Sequence, residues 1–162
     1  MDLESFNKEA KTEYSANKKL LQRLKKVKSK VLDSMFENAH NEKFKKINCL
    51  ECANCCKTTS PIFLQTDIDR LAKVFRMKSS EFMESYLHRD EDGDYVLNVS
   101  PCPFLNGDNT CLVYEERPKA CREYPHTNRK NMHGILALSL KNTLVCPAVL
   151  EIFQDFGKDF RK

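Results

Sequence analysis

The run Cys49-x2-Cys52-x2-Cys55-Cys56 constrains this chain more than any other feature of its sequence. Two residues between cysteines form a tight turn that aims two thiolates at one metal centre. Three such cysteines in series match the run that holds three irons of a cubane cluster. A lone cysteine is ordinarily a small core residue, but burial alone does not place four thiols within eight positions. Four more follow at Cys102, Cys111, Cys121 and Cys146. No single helix or turn can gather residues so far apart, so the tertiary fold has to do it.

The redox compartment decides between disulfides and metal. The opening stretch MDLESFNKEAK has no apolar core of a secretory signal, and no run of about 18 apolar residues could span a membrane. A cytoplasmic location is therefore expected, and clustered thiols in a reducing compartment favour metal. The candidate metal ligands are Cys49, Cys52, Cys55, Cys56, Cys102, Cys111, Cys121 and Cys146. Eight thiolates could make two four-cysteine zinc sites, or hold an iron–sulfur cluster and a second site. The spacing leans to iron and a 4Fe–4S cluster. Cys49, Cys52 and Cys55 reproduce the ferredoxin triple run, and Cys102-Pro103 or Cys146-Pro147 supplies a remote Cys-Pro ligand. Paired zinc knuckles would need a second close C-x2-C, which is missing.

Other chemistries find little support. Four glycines, at 93, 107, 134 and 157, leave no phosphate-cradling loop, and no Gly-x-Ser-x-Gly elbow occurs. No catalytic residue is identified, nor a cofactor site beyond metal. His126 and His133 are weaker candidate ligands; His40 and His88 read as surface residues. Lys57, Arg117, Lys119 and Arg122 sit beside cysteines in sequence, where cations offset the charge of a thiolate centre.

The periodicity predicts an α+β fold: a small cysteine-rich domain of short helices and hairpins, preceded by a long amphipathic N-terminal helix. That helix is expected over 15–40, capped by Ser15, with Leu20, Leu24, Val27, Val31 and Met35 in one stripe. Helices are expected over 64–75, capped by Thr66 with Asp69, and after Ser79. Asp90–Asp94 reads as a loop without the spacing of a calcium site. Tyr95–Val99 and Cys111–Tyr114 read as strands of a hairpin turning at Asn106–Asn109. Pro118 suits the first turn of a short helix carrying Cys121. Ile135–Leu140 is expected as a strand paired with Leu144-Val145, and a last helix starts near Pro147.

Charge divides the chain. Residues 1–46 hold 12 Lys or Arg against 7 Asp or Glu, while the remainder holds 15 against 16. Two domains are expected on this ground: a basic helical arm over 1–46 and a cysteine-cluster domain over 47–162. The arm is expected to serve an unknown protein partner. No aromatic residue interleaves its lysines between 15 and 35, so no nucleic-acid stacking is indicated.

From residue 47 to about 150 the chain resembles the CxxCxxCC cysteine-cluster family of YkgJ type, zinc- or iron-chelating proteins. The resemblance is carried by the opening cluster, Pro101-Cys102-Pro103-Phe104-Leu105, Cys111-Leu112-Val113-Tyr114, Arg117-Pro118-x2-Cys121-Arg122-x-Tyr124-Pro125 and Cys146-Pro147. It implies metal binding through all eight cysteines. Flagellin N-methylases share the cluster, so the alternatives are an enzyme using it for redox or protein N-methylation chemistry, or an adaptor with a structural zinc core.

Overall fold

The computed structural model describes residues 2–160. In chain order the helices are α1 (Leu3–Leu24), α2 (Ser29–Phe44), α3 (Cys49–Cys52), α4 (Asn54–Thr58), α5 (Gln65–Val74) and α6 (Ser79–Tyr86). Strands β1 (Leu87–Arg89) and β2 (Tyr95–Leu97) follow, then α7 (Lys119–Glu123), a 3-10 turn (Met132–Ile135), α8 (Leu136–Asn142) and α9 (Pro147–Asp159). Among the described residues helix accounts for 59%, beside one two-stranded antiparallel sheet, so the class is α+β. Among the described residues no single helix is long and apolar enough to cross a membrane. The contacts divide the chain into two compact units. One holds the residues up to Cys49 and those from Pro125 onward; the other is Leu50–Tyr124.

In the first unit, α1 begins twelve residues before the expected start. Asp2 caps it, its carboxylate accepting the N–H groups of Glu4 (3.0 Å) and Ser5 (3.3 Å). The helix expected over 15–40 is two helices, broken between Lys25 and Lys28. The break lets both apolar stripes reach one core. Leu20, Leu21 and Leu24 of α1 and Leu32 and Phe36 of α2 pack with Met132, Leu136, Val149, Ile152, Phe153 and Phe156. Phe36 is fully buried, with edge contacts to Phe153 (6.3 Å) and Phe156 (5.0 Å). The strand expected over Ile135–Leu140 is helical. Leu136, Ser139 and Leu140 are its buried residues apart from Asn142, and i, i+3, i+4 is a helical face. Leu144-Val145 lies in the turn before α9 rather than in a pairing strand. Helix α9 starts at Pro147 as expected, with Pro at the position where its missing N–H costs least.

Carboxylates tie α2 into this unit. Asp33 accepts the N–H groups of Asn131 (2.9 Å) and Met132 (2.8 Å), and Lys43 Nζ meets Asp155 (2.7 Å) and Glu151 (3.1 Å) on α9. The N–H of Met132, then of Asn131, holds Asp33 below the ordinary aspartate value of 3.8, and a hydrogen bond from Lys43 does the same for Asp155. A lowered carboxyl contributes stability above its unfolded value that is lost as pH falls toward the folded one. The unit is therefore expected to lose thermal stability as pH falls below 3.8, and Asp33→Ala with Lys43→Met to shrink that loss. Melting curves between pH 6 and 3 check this. An acid-induced drop of equal size in parent and double variant would remove these carboxylates from the explanation.

The second unit packs Phe63, Ile68, Leu71, Ala72, Phe82, Leu87, Leu97, Phe104 and Val113 into a separate core. The hairpin lies elsewhere than expected. Strand β2 pairs with β1, in the register Leu87↔Leu97, His88↔Val96, Arg89↔Tyr95. The acidic stretch makes the turn, where Asp90 Oδ1 accepts the N–H groups of Asp92 (3.0 Å) and Asp94 (2.9 Å) and Gly93 takes φ +84°. Asn106–Asn109 does turn, but it closes only the single bridge Leu105↔Cys111. Nor does Thr66 cap α5. Asp67 does so from within, accepting the N–H of Leu64 at 3.1 Å, while Asp69 accepts from Ser79 Oγ (2.6 Å) and Gln65 Nε2 (2.8 Å).

Candidate metal centre

The cysteine run folds as two short helical turns. Helix α3 ends at Cys52, Ala53 takes a left-handed conformation (φ 47°), and α4 starts at Asn54. A non-glycine residue is rarely found there, because its Cβ crowds the backbone. The reversal separates Cys52 from Cys55 and Cys56, which ride on the second turn. The buried Cys52 sulfur accepts the N–H of Asn54 at 3.4 Å, and its carbonyl accepts from Lys57 Nζ at 3.1 Å. Thr59 Oγ1 donates to the Cys55 carbonyl at 2.8 Å.

The later cysteines come to this turn through backbone hydrogen bonds. The N–H of Cys102 donates to the Cys56 carbonyl at 2.8 Å, and Ser100 Oγ donates to the Lys57 carbonyl at 3.0 Å. The N–H of Leu112 donates to the Phe104 carbonyl at 2.8 Å, next to the Leu105↔Cys111 bridge, and so brings in Cys111. Cys121 sits on α7, which starts after Pro118. No disulfide joins any of the eight cysteines.

The thiols feel one another's charge. A hydrogen bond from Cys55, helped by the cations Arg117 and Lys57, brings Cys56 down to about 7 against burial. Burial, followed by the charges of Cys56 and Cys111, pushes Cys102 up to about 11. Burial also raises Cys111 and pushes Cys121 up to about 12, where Cys56, Cys102 and Cys111 all add to the effect. Burial opposes the thiolate at all four; at Cys56 the Cys55 hydrogen bond and the two cations outweigh it, and the Cys56 charge adds to the burial that raises the other three. Among the described residues, no three His, Cys, Asp or Glu side chains stand together as a ready coordination shell.

Arg117 faces these thiols, with charge interactions to Cys56, Cys111 and Cys121. Its guanidinium lies 3.6 Å from the centre of the Tyr114 ring, and its buried Nε has no hydrogen-bond partner among the described residues. A buried guanidinium donor without an acceptor is costly. The donor set therefore fits a metal–thiolate group, whose sulfur would accept such a bond. Lys57 donates to a backbone carbonyl, Lys119 pairs with Glu123 at 3.7 Å, and Arg122 is exposed.

Sequence reasoning missed the clamp behind Arg117. Asp67 is 1% exposed and meets Arg70 Nη2 at 2.7 Å. Arg70 Nη2 also donates to the Arg117 carbonyl at 2.9 Å, and the N–H of Lys119 donates to Asp67 Oδ1 at 3.1 Å. One buried ion pair on α5 thus fixes both the Arg117 loop and the start of the helix bearing Cys121. Asp at one position and Arg three later was the only local signal, and it is common on helices.

The remaining candidate ligands, Cys49, Cys146, His126 and His133, fall in the first unit. Cys49 opens α3 and is exposed, and Cys146 stands at the N-cap of α9, half-buried against the core of that unit. His126 takes φ 64° and His133 lies in the 3-10 turn. His40 is half-buried rather than a plain surface residue, bonded to Thr127 Oγ1 at 2.7 Å and stacked on Phe44. His88 is exposed.

A family model named CxxCxxCC, for a proposed zinc- or iron-chelating domain, matches residues 48–143. The chain belongs to this family. The CxxCxxCC span includes seven of the eight cysteines and ends before Cys146. No curated protein and no solved structure matches the chain.

Proposed function

We propose that the protein is a metal-chelating module in which Cys56, Cys102, Cys111 and Cys121 provide one four-thiolate set. The observation that carries this is the bond from the Cys102 N–H to the Cys56 carbonyl, with Cys111 brought in by the Leu105↔Cys111 bridge and Cys121 within the charge influence of the other three. Cys55 donates to the Cys56 thiol, so the two side chains lie together on α4. Spacing assigns Cys55 to the run with Cys49 and Cys52, which leaves Cys56 for this set. On spacing, that run opens a second set. Its ferredoxin spacing favours iron, held as an iron–sulfur cluster, over zinc.

When bound, such a group supplies either a rigid cross-link or a redox centre. The chain supplies the thiolates, the cations Lys57 and Arg117 that offset their charge, and the clamp that holds Arg117. The enzyme alternative has no such observation behind it: a surface hollow of about 660 Å³ along residues 38–45 touches none of the eight cysteines.

The test is anaerobic purification followed by counts of iron, acid-labile sulfide and zinc per chain. Iron and sulfide in equal amounts, with broad absorption near ~400 nm, are expected. Colourless protein with whole-number zinc would keep the chelating role and overturn the choice of metal. Protein that retains and takes up neither metal would overturn the role itself.

A further inference from the structure

Beyond Glu4 in its first turn, the outward face of α1 is cationic. The helix buries Phe6, Ala10, Asn17, Leu20, Leu21 and Leu24. At 100° per residue the opposite face carries Lys8, Lys11, Lys18 and Lys19, and it continues into Lys25 and Lys26 at the corner. All six are exposed. Lys11, Lys18 and Lys25 repeat every seven residues, which stacks them in one row. From Lys8 to Lys26 the face spans roughly 27 Å at the helical rise. Glu9 and Glu13 fall on the flank, and Glu9 accepts from Gln154 Nε2 at 2.8 Å. Glu4 stands in the first turn, at the far end from the corner. No ion pair among the described residues joins the six lysines to a carboxylate.

We propose that this face of α1 binds the phosphate backbone of a nucleic-acid duplex without reading its sequence. The composition of the face selects this partner. Lysine is a point charge without the planar fork that reads guanine edges, so phosphate is its fitting ligand. Thr12, Ser15 and Gln22 lie exposed among the lysines and supply the neutral donors common at phosphate contacts. Tyr14, beside the Lys11–Lys18–Lys25 row, is half-buried against the core, and no exposed aromatic or large apolar side chain occurs on the face to stack unpaired bases or enter a lipid surface. The buried side of α1 keeps the helix on its core, so only the lysine-bearing side meets the duplex. No cysteine lies on this face, which is independent of the proposed metal site.

The experiment titrates the full chain, as purified, into a fluorescent 20-base-pair DNA duplex and the matching RNA duplex, read by anisotropy. Binding at 50 mM KCl is expected, weakening on the order of 10²- to 10³-fold at 200 mM if four to six phosphates are neutralised. Lys11→Gln/Lys18→Gln/Lys25→Gln should reduce the salt slope by about 2–3 and weaken binding at least about tenfold. Lys73→Gln/Lys130→Gln/Lys141→Gln removes as much charge elsewhere and should bind like the parent. Circular dichroism shows that both variants are folded. No saturable binding at 50 mM KCl, equal loss in the two variants, or stripe-dependent binding to phosphatidylserine vesicles without binding to either duplex would overturn the proposal.

Discussion

Stripping the metal with a chelator is expected to unfold the Leu50–Tyr124 unit while leaving the helices of the other unit folded. The elements of Leu50–Tyr124 cannot stand alone. Helices α4 and α7 have five residues each, the strands have three, and isolated helices under about 12–15 residues are marginal in water. Nine buried apolar residues form its core, and none comes from α4 or α7, which carry Cys55, Cys56 and Cys121. A metal bound by Cys56, Cys102, Cys111 and Cys121 would join three segments that are otherwise held by a few hydrogen bonds and the Asp67–Arg70 clamp. Binding free energy then counts as folding free energy, about 10–16 kcal/mol for structural zinc in small domains. By contrast, α1, α2 and α9 have 22, 16 and 13 residues and share an aromatic core. Hydrogen exchange read by mass spectrometry, with and without chelator, checks this. Amides of 50–124 should lose protection by orders of magnitude while those of α1 and α9 keep theirs. Unchanged protection across 50–124 would show that the unit does not depend on metal.

Asp67→Ala is expected to be the most damaging single substitution outside the cysteines of that unit. It leaves Arg70 with only the exposed Glu116 carboxylate (3.1 Å) as counter-charge, and frees the N–H groups of Leu64 and Lys119. Breaking a buried pair by removing one partner costs about 3–5 kcal/mol. Arg70 is 28% exposed, so water recovers part of its charge and the lower end applies. The melting transition should drop on the order of 10 °C. Arg70→Met should cost less than Asp67→Ala if the carboxylate's backbone bonds matter as much as the ion pair. A melt of Asp67→Ala within 2 °C of the parent would dismiss the clamp.

The sequence disclosed these features unevenly, and the reasons are physical. Periodicity revealed the apolar stripe from Leu20 to Met35, but not the break at Lys25–Lys28. No proline or glycine marks that corner; it exists because Leu24 and Phe36 pack on α8 and α9, more than a hundred positions away. Ile135–Leu140 was ambiguous because a short apolar run suits a strand and a buried helix alike. The hairpin was misplaced because Asn106–Asn109 and Asp90–Asp94 both have turn chemistry, and only the partner of Tyr95–Leu97 distinguishes them. Cys56 could be singled out from its position beside Cys55. The approach of Cys102, Cys111 and Cys121 to it could not, since it depends on the Cys102–Cys56 backbone bond and on Asp67. That carboxylate serves the site only by holding another residue, and such residues leave no spacing motif.

The direct test of the four-thiol centre is metal and sulfide per chain in Cys121→Ser and Cys52→Ser, each purified anaerobically beside the parent. If Cys56, Cys102, Cys111 and Cys121 form one set and the Cys49–Cys55 run opens another, each variant should lose one centre and keep the other. The remainders should differ between the two variants. Identical remainders, or metal content unchanged by Cys121→Ser, would contradict the assignment.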